Sequence, residues 1–181
     1  MTIAFVLAFV ALRAGFLWNI HDASGGPKSP PPDMAAARRA IVEIGKNGYD
    51  PANYREDPSS LQNAGLDGLC AVVVYLQQAQ ASNSTKDLSA FAAHNLAIAT
   101  SPWSGPNGLD FVSCIARSRF WSVRYFAACF AGLQYAKPAA IRSHARALLE
   151  RLAQDREEAV RICVRRWLKS PEWSPEPKGK S

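Results

Sequence analysis

The sequence predicts an all-α protein, and three observations carry that expectation. Between residues 34 and 169, apolar side chains recur at three- and four-residue intervals, the period of helices with one buried stripe. The breaks in this pattern are rich in Gly, Pro, Asn and Ser, which is turn chemistry. Two segments in the C-terminal half repeat one another at a spacing of 37 residues, as stacked helical units do.

The first segment stands apart. Residues 1–20 are nearly all apolar, and Ile3 to Leu12 is an unbroken run. Its length suits a membrane anchor crossing ~30 Å of hydrocarbon. Its short core, followed by Ala23-Ser24-Gly25, also suits a cleaved signal segment, although no Lys or Arg precedes it. A hydrophobic first helix packed into the globular domain is the third reading. Membrane-associated or exported localisation is the expectation. If the segment is an anchor, Lys28, Arg38 and Arg39 after it favour a cytoplasmic helical domain.

Residues 21–33 read as a linker, flexible at Gly25-Gly26 and extended at Pro30-Pro31-Pro32. Asp33 then caps a helix over 35–46, which Gly48 ends. Residues 47–60 read as loop. A helix over 66–80 follows, with Leu69, Val72, Val73 and Leu76 on one face. Its Val72-Val73-Val74 run also fits a buried strand. Ser84 and Asp87 resemble a capping pair for a helix over 86–99. After the 100–108 loop, helices are expected over 109–117 and 120–135. Lys137-Pro138 opens an amphipathic helix carrying Ile141, Ala145, Leu148, Leu149 and Leu152. The last helix carries Val160, Cys163, Val164, Trp167 and Leu168, and Ser170-Pro171 stops it. The helical domain thus spans 34–169, and 170–181 reads as a disordered tail.

The repeat is explicit residue by residue. Phe111 aligns with Leu148, Val112 with Leu149, Ile115 with Leu152 and Ala116 with Ala153. Ser118 aligns with Asp155 at a turn, and Val123-Arg124 recurs as Val160-Arg161. Ala127 aligns with Val164 and Phe130 with Trp167. A unit of this size cannot bury its stripe alone, so stacked neighbours must cover it. The segment from about 109 to 168 resembles the HEAT-repeat family, which pairs antiparallel helices around an Asp-bearing turn and a Val-Arg. Ser118, Val123, Arg124, Asp155, Val160 and Arg161 are the matching positions, with Ser118 replacing the Asp in the first unit. The resemblance implies a short α-solenoid. It also implies a structural role for Arg124 and Arg161 as partners of turn acids, with Asp155 and Asp110 as candidates. Residues 66–99 would be a degenerate earlier unit, with Leu88 at the Val123 position. An ordinary helical bundle with a shared period is the competing architecture.

Charge and chemistry narrow the tasks. The net charge is +6, from 21 Lys and Arg against 15 Asp and Glu. The basic excess lies entirely beyond residue 108, where 14 basic groups meet 7 acidic ones. No phosphate loop, nucleophile elbow or zinc-protease motif is present. His21, His94 and His144 are isolated, and pairing any of them with a cysteine needs tertiary proximity. Cys70, Cys114, Cys129 and Cys163 lie in apolar helical stretches and read as reduced core thiols, a disulfide remaining open if the chain is exported. No catalytic, cofactor or metal residue is therefore assigned. Arg142 and Arg146 share one helix face and Arg161 and Arg165 another, with Arg166 beside them, so these five form the candidate binding surface.

The expected function is a non-catalytic protein-interaction scaffold, tethered or exported through residues 1–20. Residues 120–134 and 158–169 would line its surface. A nucleic-acid-binding protein using the basic face is the alternative. A structural subunit of a membrane complex, anchored by Trp103 or Trp173, is another.

Overall fold

The computed structural model describes residues 33–50, 59–82, 85–102 and 106–173. They form eight α-helices and no strand: α1 (Met34–Asn47), α2 (Ser59–Asn63), α3 (Gly65–Ala81), α4 (Lys86–Thr100), α5 (Pro106–Ile115), α6 (Trp121–Gly132), α7 (Ala139–Leu152) and α8 (Glu158–Lys169). Two 3-10 turns, Leu133–Ala136 and Pro171–Trp173, complete the path. Residues 1–32, which include the apolar segment and nearly all of the linker, lie outside the described residues, as do Trp103 and 174–181. Among the described residues no helix is long and apolar enough to cross a membrane.

Local chemistry explains both ends of α1 and the start of α4. Asp33 Oδ1 accepts from the Ala35 and Ala36 amides at 2.9 Å, so α1 starts where an N-cap residue stands. Gly48 ends α1 at φ +87°, a conformation in which a side chain would be strained. Thr85 caps α4 by accepting from the Leu88 amide. Ser84 itself lies outside the described residues. Ser59 and Ser60, expected as loop, open the short helix α2, which buries Leu61 against α1. The Val72-Val73-Val74 run is helical, because its segment continues without a break to Ala81.

Helix α6 is the centre of the fold, in contact with α3, α4, α5, α7 and α8. Every residue from Ser122 to Gly132 except Tyr125 is buried. A helix that is apolar on all sides belongs inside. Phe126 and Phe130 fill the interior, their rings 6.0 Å apart, each worth about 2–3 kcal/mol of burial. Ala127, Ala128, Ala131 and Gly132 let neighbouring helices come close. A Cβ on Gly132 would stand 2.2 Å from the Trp167 ring, so the indole of α8 lies against bare backbone. The start of α6 is tied to α3 by polar bonds: Ser122 Oγ donates to the Leu76 carbonyl at 3.1 Å, and Gln80 Oε1 accepts from the Ser122 amide.

This placement corrects one expectation. Residues 120–134 do not present a binding face, because α6 is enclosed by its neighbours. Trp173 is likewise no exposed anchor: it is buried, and its Nε1 donates to the Gly132 carbonyl at 3.0 Å. Residues 171–173, expected within the disordered tail, form a 3-10 turn.

Candidate functional site

The two turns that join α5 to α6 and α7 to α8 are built by the same hydrogen bonds. In the first, the Arg117 amide donates to the Cys114 carbonyl and the Ser118 amide to Ile115. In the second, Gln154 donates to Arg151 and Asp155 to Leu152. Ser118 Oγ accepts from the Phe120 amide at 3.2 Å, and Asp155 Oδ1 accepts from the Glu157 amide at 2.8 Å. Arg124 Nη1 donates back to the Ser118 carbonyl, as Arg161 Nη1 does to the Asp155 carbonyl. Each of these bonds recurs at the spacing of 37 found in the sequence. Val123 and Val160 are fully buried in both units. Leu88, placed at the equivalent position of a third unit, is 59% exposed and does not take that role.

The turns are also joined to each other. Arg124 Nε and Nη2 donate to the two Asp155 carboxylate oxygens at 2.7 and 2.9 Å, a bidentate pair. Both side chains are 6% exposed. Arg124 Nη1 also reaches the Arg119 carbonyl at 3.1 Å. Burial alone would push the Asp155 carboxyl up. Hydrogen bonds from Arg124 and the Glu157 amide, with the positive charges of Arg124 and Arg156, outweigh it and hold the group below its ordinary value. Asp110, the other candidate partner, lies instead 3.8 Å from His144 Nδ1, and His144 Nε2 lies 3.2 Å from Ser113 Oγ. These contacts join α5 to α7.

Above the buried pair lies an open groove of about 530 Å3. Its charged walls are Arg117, Arg119, Arg151 and Arg156, with Arg124 and Asp155 in the floor. The four wall arginines are exposed. Neutral groups hold three of them: Arg151 Nη2 donates to the Ser113 carbonyl at 3.0 Å, and Arg156 Nη2 to the Arg119 carbonyl at 2.9 Å. The Arg119 guanidinium lies 4.7 Å from the Phe120 ring centroid. Among the described residues none of the four forms an ion pair with a carboxylate. Among the described residues Asp155 is the one carboxylate lining the groove, and Arg124 occupies both of its oxygens.

The arginines expected from the sequence sit elsewhere, and most are engaged. Arg146 Nε donates to Glu150 at 3.0 Å, and its Nη1 reaches the Trp173 carbonyl. Arg161 and Arg165 share Glu158. Arg142 is half-buried on α7, and Arg166 is exposed on α8 beside a smaller pocket. The groove arginines escaped sequence reasoning because they flank turns rather than share a helix face. One signal for them was present: Arg119 and Arg156 hold the same position in the two turns.

Of the cysteines, only Cys129 and Cys163 are buried; Cys70 is half-buried and Cys114 is exposed. The expectation of four core thiols fails at Cys114 because α5 is one of the outer helices and turns that position to solvent. His94 shares the smaller pocket with Cys163. Among the described residues no three His, Cys, Asp or Glu side chains cluster as metal ligands would. Comparison with protein-family models, with curated proteins and with solved structures finds no match to this chain.

Proposed function

We propose that the chain is a non-catalytic protein-binding scaffold, a short HEAT-like α-solenoid that receives an acidic partner on its turn face. The observation that carries this reading is the groove walled by Arg117, Arg119, Arg151 and Arg156. Surface arginines are ordinarily interleaved with acids, as Arg146, Arg161 and Arg165 are here. Four guanidiniums of one sign converging on one groove raise the local potential and steer an acidic surface toward it. The floor is rigid, because the Arg124–Asp155 pair fixes one turn against the other. Matching hydrogen bonds in the two turns support the repeat, and the contacts of α5 with α7 and α6 with α8 support a stacked arrangement. In this reading residues 1–20 serve as the tether or export segment.

Guanidinium forks also suit phosphate, which favours nucleic acid as the second reading. One experiment separates the two. The full chain and a charge-reversed variant (R117E, R119E, R151E and R156E) are used as bait, with and without nuclease, at low and high salt. The scaffold reading requires defined proteins that survive nuclease and are lost from the variant. The same proteins bound equally by the variant refute the groove as the site. Capture that needs nucleic acid and collapses with salt moves the assignment to the second reading.

A further inference from the structure

A second site lies between α6 and α8, on residues that the groove does not use. Cys129 and Cys163 are both free thiols, and their sulfurs stand 3.4 Å apart. A disulfide needs about 2.05 Å, so side-chain rotation has little distance to close. The two cysteines differ in access. Cys129 is fully buried in α6. Cys163 lines a pocket of about 260 Å3 with His94, Tyr125, Arg166, Trp167 and Ser170. The pocket brings a cation and hydrogen-bond donors to one sulfur only.

The electrostatics follow that asymmetry. Hydrogen bonding from the Cys129 thiol, and then from Trp167 and Tyr125, holds the Cys163 thiol below its ordinary value despite burial, with help from the Arg166 charge. Burial pushes the Cys129 thiol well up. The two shifts run in opposite directions, and the pocket opens on the sulfur whose value is lowered.

We propose that Cys129 and Cys163 are a peroxide-reactive dithiol, in which Cys163 is oxidised through the pocket and Cys129 closes an interhelix disulfide. The Cys163 thiolate attacks one peroxide oxygen, and the O–O bond breaks. The departing hydroxide or alkoxide takes a proton and leaves as water or alcohol, and Cys163 becomes a sulfenic acid. Arg166 places positive charge where the leaving oxygen becomes anionic. The Cys129 sulfur then attacks the Cys163 sulfur and the S–O bond breaks. The thiol proton of Cys129 leaves with that oxygen as water. Two thiols lose two electrons, and one hydroperoxide gains them. Return to the dithiol requires an external thiol reductant.

The test uses the full reduced chain, one equivalent of hydrogen peroxide, alkylation of remaining thiols, and mass spectrometry of the intact chain and its peptides. The expected product is lighter by two hydrogens and carries one cross-link, between the peptides holding Cys129 and Cys163. Cys70 and Cys114 stay alkylatable, and Cys163 reacts at least about tenfold faster than exposed Cys114. Cys129→Ser should trap a sulfenic acid on Cys163 that a dimedone probe captures, while Cys163→Ser should leave Cys129 reduced. The proposal is overturned if the peroxide-treated chain retains both thiols, if Cys114 is consumed first, or if the cross-link joins another pair. The peptide map of the unaltered chain decides the matter even where a serine variant fails to fold.

Discussion

Replacing Asp155 by alanine strikes the buried ion pair that joins the two repeat turns. The carboxylate accepts two charge-assisted bonds from Arg124 and one from the Glu157 amide. Removal leaves the Arg124 guanidinium buried, with carbonyl partners but no counter-charge. Breaking a buried ion pair from one side costs about 3–5 kcal/mol, to which loss of the turn acceptor adds about 1 kcal/mol. A domain of this size loses about 2–4 °C of Tm per kcal/mol, so the expected fall is roughly 8–24 °C. Asp155→Asn keeps the shape and the turn acceptor, and should lose about half as much stability. The decisive comparison is Arg124→Met with Asp155→Leu, where no charge remains to be stranded. That double variant gives up the guanidinium's bonds to the Ser118 and Arg119 carbonyls and the bond from the Glu157 amide, yet should be more stable than Asp155→Ala because no charge is stranded. Urea unfolding followed by circular dichroism measures these chains together with the single variants Arg124→Met and Asp155→Leu. A loss below about 1 kcal/mol in Asp155→Ala, or a double variant that equals the sum of its single changes, refutes the reasoning.

The same pair predicts an acid limb. The folded carboxyl of Asp155 titrates below its unfolded value of about 3.9, so the unfolded chain binds the proton first. Its stabilisation is therefore complete above that unfolded value and is lost as pH falls through the lower folded one. Asp155→Ala should flatten the limb in a pH series of unfolding midpoints, and an unchanged limb would assign it to other groups. Gly132→Ala adds a methyl group 2.2 Å from the Trp167 ring, and the overpacking of about 1–3 kcal/mol should exceed the gain of about 1 kcal/mol in helix propensity. A thermal melt in which this variant gains stability would contradict the observed packing. Closing the Cys129–Cys163 bond spans 34 residues and should raise unfolding stability by about 3–4 kcal/mol in the chain-entropy estimate. Equal denaturation midpoints for the oxidised and reduced chains would show that strain cancels the constraint.

The helices were legible in the sequence because their causes are local. Asp33 and Gly48 carry the cap chemistry of α1, and Leu148, Leu149 and Leu152 carry the stripe of α7. The repeat was legible for the same reason, since the turn at Ser118 and the turn at Asp155 are each closed by residues a few positions apart. What had no local cause was not legible. The small and aromatic residues of α6 read as one more amphipathic helix, and only packing on all sides makes it the centre. Arg117 and Arg156 lie on different turns, and Cys129 and Cys163 on different helices. Whether such residues meet depends on how distant helices pack. That packing is decided by contacts such as Trp167 on Gly132 and the Trp173 indole on the Gly132 carbonyl. The sequence by itself determined the helices and the repeat, since a helical period and a turn are written into neighbouring residues. Tertiary structure alone decided the groove and the thiol pair, since close packing selects which distant side chains share a surface.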